Sequence, residues 1–321
     1  MTVNLEPLAM SRETVRQVAL GVDRYELMRA RFGRQAADLK RKPRSAGVTT
    51  VRALERVEVD HFLCDVHLVD EKTGSRLGRP WLTLVIDHYS GLVLGYHLSF
   101  APPSAASVLA ALRHAILPKE LSFDVNEAKQ DQSPQVRWQA FGIPDLVVVD
   151  NGLDLTSNGV REACLALGID ILFTPPRSPW YKGVVERFGR TLNSRFIHWT
   201  PGTTLGKATS DRNYDGAEHA ALTFDAFKQL LERYIVTIHN KTPRRTGTKA
   251  PDRLFLESCQ RWPVRIPTSQ AEFDAAVALE FTHKLQQSGL KWLGLQYQNE
   301  QLGALWNRSP AGTRLSFKVN P

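Results

Sequence analysis

Apolar and polar positions change period several times along the chain, and each change marks an element. The run VEVDHFLCDVHLV from Val57 is dense in β-branched and apolar residues. Trp81–Asp87 (WLTLVID) and Leu92–Phe100 (LVLGYHLSF) follow it after turn signals at TGSRLGRP and SG, so three strands joined by short turns are predicted, an antiparallel meander. Ser104 then caps an Ala/Leu-rich helix, SAASVLAALRHAIL, stopped by Pro118. Asp145–Val149 (DLVVV) is a short, continuously apolar run of the kind buried on both faces of a sheet. A helix over Gly159–Leu167, with Gly168 as its stop, and a last strand at Asp170–Thr174 complete a strand–helix–strand–helix–strand series. Such a series implies crossover connections and parallel pairing. The pattern therefore predicts an α/β domain with a mixed five-stranded sheet flanked by helices.

Pro175, Pro176 and Pro179 end the last strand, and Tyr181–Phe196 reads as a helix with Val185, Phe188, Leu192 and Phe196 on its apolar stripe. Lys182, Glu186 and Arg190, spaced i, i+4, i+8, share another face of that helix. A Gly/Thr/Asp-rich loop over roughly 200–217 precedes an amphipathic helix marked by Phe224, Phe227, Leu231, Tyr234 and Ile238. Beyond Pro251 a smaller unit is expected. Leu293, Leu295 and Tyr297 alternate with other residues, as does RLSFKV at 314–319, which predicts short strands of a small β-barrel. At the other end, Ser11 as N-cap and Glu13 in the first turn start a short helix.

Composition narrows the class. A chain of 321 residues, 42% apolar and 23% charged, has room for a folded core and a second domain. No segment has the roughly 20 apolar residues of a membrane helix, and the start lacks the form of a secretory signal, so a cytoplasmic protein is expected. Cys64, Cys164 and Cys259 fit neither a disulfide framework nor a zinc module. The net charge of +8 is concentrated: residues 29–56 hold nine basic and two acidic groups. That stretch, ending in KRKPRSAG, reads as a basic linker, and it suggests a polyanionic partner.

Three carboxylates stand out against this pattern. Asp60 lies in the first strand, in an apolar run where a buried, unpaired carboxylate would cost several kcal/mol. Asp150 ends the fourth strand, at the carboxyl edge where open α/β sheets place their sites. Glu186 lies off the apolar stripe of its helix. If strands one and four are neighbours, Asp60 and Asp150 approach each other and Glu186 can reach the same edge. Converging carboxylates repel unless hard cations lie between them, and Mg²⁺ or Mn²⁺ prefers such ligands. Asp65 and Asp87 are weaker candidates, with Asp87 better explained by the turn DHYSG. His61 points to the opposite sheet face from Asp60 and reads as packed. Asn151 fits Asx-turn chemistry as well as substrate contact, and Trp180 and Tyr181 read mainly as packing residues.

Thirty-five residues separate Asp150 from Glu186. This spacing resembles the D,D(35)E pattern of retroviral-type integrases and transposases with an RNase H-like fold. The strings VEVDHFLCDVHLVD, GRPWLTLVIDHYSGLVLGYHLSFAPPS, LVVVDNG and TPPRSPWYKGVVERFGRTLNSRF are similar to the integrase core of the group that contains the phage Mu transposase and the B-type subunits of bacterial transposases. The likeness covers roughly residues 45–255. SRETVRQ resembles the last helix of a preceding helix-turn-helix region, and the segment after Pro251 resembles a following β-barrel. Both look cut, so a fragment or a shortened relative is expected, divided as 1–55, helix-turn-helix end and linker; 56–248, catalytic domain; and 249–321, barrel.

The resemblance implies a DDE-type polynucleotidyl transferase: metal-dependent 3′-end cleavage at transposon ends, then strand transfer into target DNA. It implies Asp60, Asp150 and Glu186 as catalytic residues and as ligands of two Mg²⁺ (or Mn²⁺) ions. The implied partners are DNA, further copies of the chain in a multimeric transpososome, and an ATP-dependent target-selection protein. This chain has no GxxxxGK[ST] loop of its own. Lys182 and Arg190, and Arg41, Lys42 and Arg44 in the basic run, are the expected DNA-backbone contacts. Two alternatives stay open: an RNase H-like nuclease that cleaves without joining, and a non-catalytic DNA-binding assembly subunit.

Overall fold

A computed structural model describes residues 11–34, 37–38, 48–123, 137–150, 158–175, 179–204, 214–310 and 312–319. The chain divides into two compact units, 1–48 and 49–321. In the first, Ser11 caps the helix Arg12–Gly21 by accepting from the Thr14 amide at 3.1 Å, as expected. A second helix, Arg24–Phe32, capped by Asp23, occupies the start of the stretch expected to be linker. Its arginines Arg29 and Arg31 fall in the last helical turn, where the helix dipole favours cations. Arg41, Lys42 and Arg44 lie outside the described residues.

The second unit is built on a five-stranded sheet. Its strands are β1 (Arg56–Leu63), β4 (Trp81–Asp87), β5 (Val93–Ser99), β6 (Leu146–Val149) and β7 (Asp170–Phe173), and between β1 and β4 lie the short β2 (Leu68–Val69) and β3 (Arg76–Gly78). The spatial order is β5-β4-β1-β6-β7. β4 runs antiparallel to β1 and β5, whereas β1, β6 and β7 are parallel. This is the mixed sheet of an RNase H-like fold, with β1 at its centre.

Register decides which residues share a face. Val59 pairs with Val85, which pairs with Gly95, so all three lie on one face. The helix Ala105–Ile116 covers that face so closely that a Cβ on Gly95 would fall 2.5 Å from the Ala115 nitrogen. Asp60, opposite Leu84, lies on the other face together with Glu58 and Phe62. The helix Gly183–Arg195 covers this second face, and a Cβ on Gly189 would fall 2.2 Å from the Phe62 ring. Val185, Phe188 and Leu192 of the predicted stripe are buried in the core.

The region after 249 departs from expectation. Helices Pro251–Arg261 and Gln270–Val277 send Phe255, Phe273 and Val277 into the main hydrophobic core, and the Ser258 hydroxyl accepts from the Ala53 amide at 2.8 Å. The strands beyond them form two separate pairs, β8 (Leu279–Lys284) with β11 (Arg314–Val319) and β9 (Leu290–Trp292) with β10 (Leu295–Tyr297), with a helix at Glu300–Arg308. Among the described residues no closed barrel forms. Leu293, expected in a strand, takes a positive φ of 48° in the turn between β9 and β10. Phe281, Trp292 and Phe317 pack on one another between the two pairs. The three cysteines are free thiols. No helix among the described residues is long and apolar enough to cross a membrane.

Candidate active site

The alternation Val57-Glu58-Val59-Asp60 sends the two valines into one core face and the two acids toward the helix Gly183–Arg195. Glu58 is fully buried. One oxygen, Oε2, accepts from the backbone amides of Val184 at 3.0 Å and Val185 at 2.9 Å, and Oε1 lies 2.6 Å from His88 Nδ1. That helix has no side-chain cap of its own, since Lys182 stands at the N-cap position. Glu58 therefore supplies from the sheet what an N-cap residue normally supplies locally, satisfying two orphan amides and placing a carboxylate at the positive end of the helix dipole. Arg56 donates to the Tyr181 carbonyl at 2.6 Å and ties the preceding turn to the same strand. Neither residue was singled out in the sequence, although the acid two positions before Asp60 carried the signal.

The parallel register of β1 and β6 matches Glu58 with Val148. Two residues further along each strand, Asp60 and Asp150 come to the same level at the sheet edge. The two carboxylates meet at one cation: Lys182 Nζ lies 2.8 Å from Asp60 Oδ1 and 3.6 Å from Asp150 Oδ2. The Lys182 side chain is only 6% exposed and that of Asp60 19%, while Asp150 is 59% exposed. Thr174, just past β7, donates to Asp150 Oδ1 at 3.0 Å.

Glu186 lies in the first turn of the helix, four residues after Lys182, and is partly buried. Burial holds its carboxyl above the ordinary glutamate value, and the negative charges of Asp60 and Glu58 push the same way, against Lys182 and Arg190. Glu186 and Asp60 thus sense each other electrostatically. Among the described residues, no group of three His, Cys, Asp or Glu side chains is drawn together closely enough to enclose a metal ion.

Lys182 does not share an outer helical face with Glu186 and Arg190. It belongs to a tight 3-10 turn, Pro179–Lys182, and points inward, whereas Arg190 is exposed. Asp87 is buried, accepting from the amides of Leu54 and Ser90 and from the Ser90 hydroxyl, which is the turn role expected for it. Asp65 pairs with Arg79 at 2.6 Å. His61 Nδ1 meets the Thr83 hydroxyl at 2.9 Å, across the strand from its own position. Asn151 and the Trp180 side chain lie outside the described residues.

Comparison with known proteins places likenesses over the same part of the chain. Residues 58–202 match the family model of the TnsB C-terminal domain. The chain is 27% identical over 265 residues to the transposase for transposon Tn552 of Staphylococcus aureus, covering 82% of this chain and 49% of that protein. It is 29% identical over 187 residues to the transposition protein TnsB of transposon Tn7 of Escherichia coli, covering 58% of this chain and 26% of that protein. The chain thus spans about half the length of the first relative and about a quarter of the second. Among solved structures, the catalytic core domain of BIV integrase aligns at 17% identity with a TM-score of 0.38, covering 64% of this chain and 97% of that one. Glu58, Asp60, Asp150, Lys182 and Glu186 all fall within the segment that is similar to the TnsB C-terminal domain.

Proposed function

We propose that the chain is the catalytic part of a DNA transposase that cleaves phosphodiesters at transposon ends and joins the freed 3′-hydroxyls to target DNA. The observation that carries the reading is the convergence of Asp60 and Asp150 on one buried cation. Two acids from neighbouring strands that draw in positive charge, with an all-oxygen donor set, fit a hard divalent ion. Asp60 and Asp150 would hold Mg²⁺ or Mn²⁺ in common and Glu186 would complete a second position. When bound there, such ions supply activation of the attacking oxygen and stabilisation of the leaving one in an in-line displacement.

The chain's own residues do the positioning. Glu58 and Arg56 seat the Glu186 helix on β1, and Thr174 orients the Asp150 carboxylate. Arg190, exposed one turn beyond Glu186, is placed to meet a backbone phosphate. Arg41, Lys42 and Arg44, by their charge in the basic run, would add sequence-independent phosphate contacts. Partner DNA ends, further copies of the chain and an ATP-dependent target-selection protein complete this reading.

The test is Asp150→Asn on paired-end substrates. Mg²⁺-dependent cleavage is expected to fall by at least about 10³-fold with DNA binding unchanged; cleavage at the parental rate would sink the enzyme reading and leave an assembly subunit. Pre-cleaved ends bearing a free 3′-hydroxyl then separate transposase from nuclease, since hydrolysis without joined product identifies the latter.

A further inference from the structure

Lys182 is not placed as a surface lysine would be. Its ammonium sits between Asp60 and Asp150, and its stem is buried. The backbone on both sides is held: the Arg56 guanidinium grips the Tyr181 carbonyl before it, and Glu58 grips the Val184 and Val185 amides just after it. The position of the charge is therefore set by the strand that carries Asp60. Glu186, four residues on, feels the positive charge of Lys182 together with that of Arg190, and the negative charges of Asp60 and Glu58.

We infer that Lys182 is a resident counter-ion that competes with divalent cations for Asp60 and Asp150 and yields its place when a DNA phosphate offers it another partner. The inference rests on the proposed metal site. A monovalent ammonium neutralises half of the charge of the carboxylate pair, so the pair is stable without metal, and an incoming ion must first overcome the like charge of Lys182. A phosphodiester near the site changes this balance, because it provides the ammonium with an anion outside the carboxylate pair. Metal affinity and DNA affinity are then coupled, and by linkage each raises the other by the same factor. A core of this design stays poorly loaded with metal until DNA is in place, which restrains stray hydrolysis.

The experiment measures Mn²⁺ binding to the full chain by titration, with free Mn²⁺ followed by electron paramagnetic resonance. The parent, Lys182→Met, Lys182→Gln, Lys182→Arg and Asp60→Asn are compared, with and without a mixed-sequence DNA duplex. Without DNA, Lys182→Met and Lys182→Gln are expected to bind Mn²⁺ more tightly by about 5- to 150-fold, the usual span of a coupling between two ligands. Lys182→Arg should stay weak. Adding the duplex should tighten Mn²⁺ binding in the parent and leave the Met and Gln variants nearly unchanged. Unchanged or weaker binding in both neutral variants, with Asp60→Asn still reducing it, would overturn the role of Lys182 and leave the metal site standing. Mn²⁺ binding indifferent to Asp60→Asn in every background would remove the site itself, and the inference with it. Should one neutral variant fail to give a folded circular-dichroism spectrum, the duplex effect on the parent decides alone: no tightening overturns the proposal.

Discussion

Glu58 Oε2 lies 2.9 Å from the amide nitrogen of Val185, so a buried acid on the central strand caps the helix that carries Glu186. The two candidate catalytic elements are joined at this contact. Removing the Glu58 carboxylate leaves two amides and His88 Nδ1 without that acceptor, and an unsatisfied buried polar group costs about 1–3 kcal/mol. Glu58→Ala is expected to lower stability by about 3–5 kcal/mol in urea denaturation. Glu58→Gln keeps the volume and one acceptor oxygen and should lose less. Stabilities equal to the parent in both variants would show that the helix start is held by other contacts.

Gly189 tests how closely that helix must approach the strand. On propensity alone alanine in a helix interior is favoured over glycine by about 1 kcal/mol. Here the added methyl would meet the Phe62 ring at 2.2 Å, and overpacking of that kind costs about 1–3 kcal/mol. The packing term is the larger. Gly189→Ala should therefore destabilise the protein, and by shifting Glu186 relative to Asp60 it should slow cleavage by about 10²-fold. A stabilised variant of parental activity would mean that Phe62 swings aside freely.

Glu186 gives a dependence on pH. Its folded carboxyl titrates above the ordinary value, chiefly through burial and then through Asp60. Between the unfolded and folded values the folded chain holds the extra proton, so this group's contribution to stability falls as pH rises through that window. Above the window the penalty is complete, and below the unfolded value it is absent. Glu186→Gln should thus be more stable than the metal-free parent at pH 8, with the difference closing as pH falls below about 4. Chemical denaturation at the two pH values measures it, and a difference independent of pH would contradict the assignment.

Asp87 provides the contrast of a buried acid outside the site. It anchors the Leu54 amide and the turn at Ser90. Asp87→Ala is expected to cost about 2–4 kcal/mol of stability while leaving Mn²⁺ affinity unchanged. Loss of metal binding in a variant still folded at the assay temperature would place Asp87 in the metal site after all.

Much of the five-stranded sheet is legible in the sequence because its strands are short, apolar and separated by strong turn signals. The turn signals give the antiparallel meander of β1, β4 and β5, whereas the pairing of β1 with β6 entered only as a condition; once the structure supplies it, the approach of Asp60 to Asp150 follows. Glu58 was hidden by its valine neighbours, which read as core whatever lies between them. Lys182 was misplaced because i, i+4 spacing assumes one continuous α-helix. The 3-10 turn before Gly183 advances about 120° per residue and turns this side chain inward. After Pro251 the search for alternation passed over helical punctuation. Pro251 sits at the first helical position with Asp252 beside it, a standard helix start, and the helix that follows buries Phe255 in the main core.

The pairing of β1 with β6 joins residues that are 90 positions apart, as Glu58 and Val148 illustrate. Contacts so distant in sequence form late, because the closure entropy of the long intervening loop must be overcome before the pairing contributes. Until that step Asp60 and Asp150 belong to separate pieces of chain, and neither alone can gather a cation. A nascent or partly unfolded copy is thus expected to bind DNA through its basic stretch without being able to cut it. On the proposed function, cleavage is in this sense reserved for molecules that have finished folding.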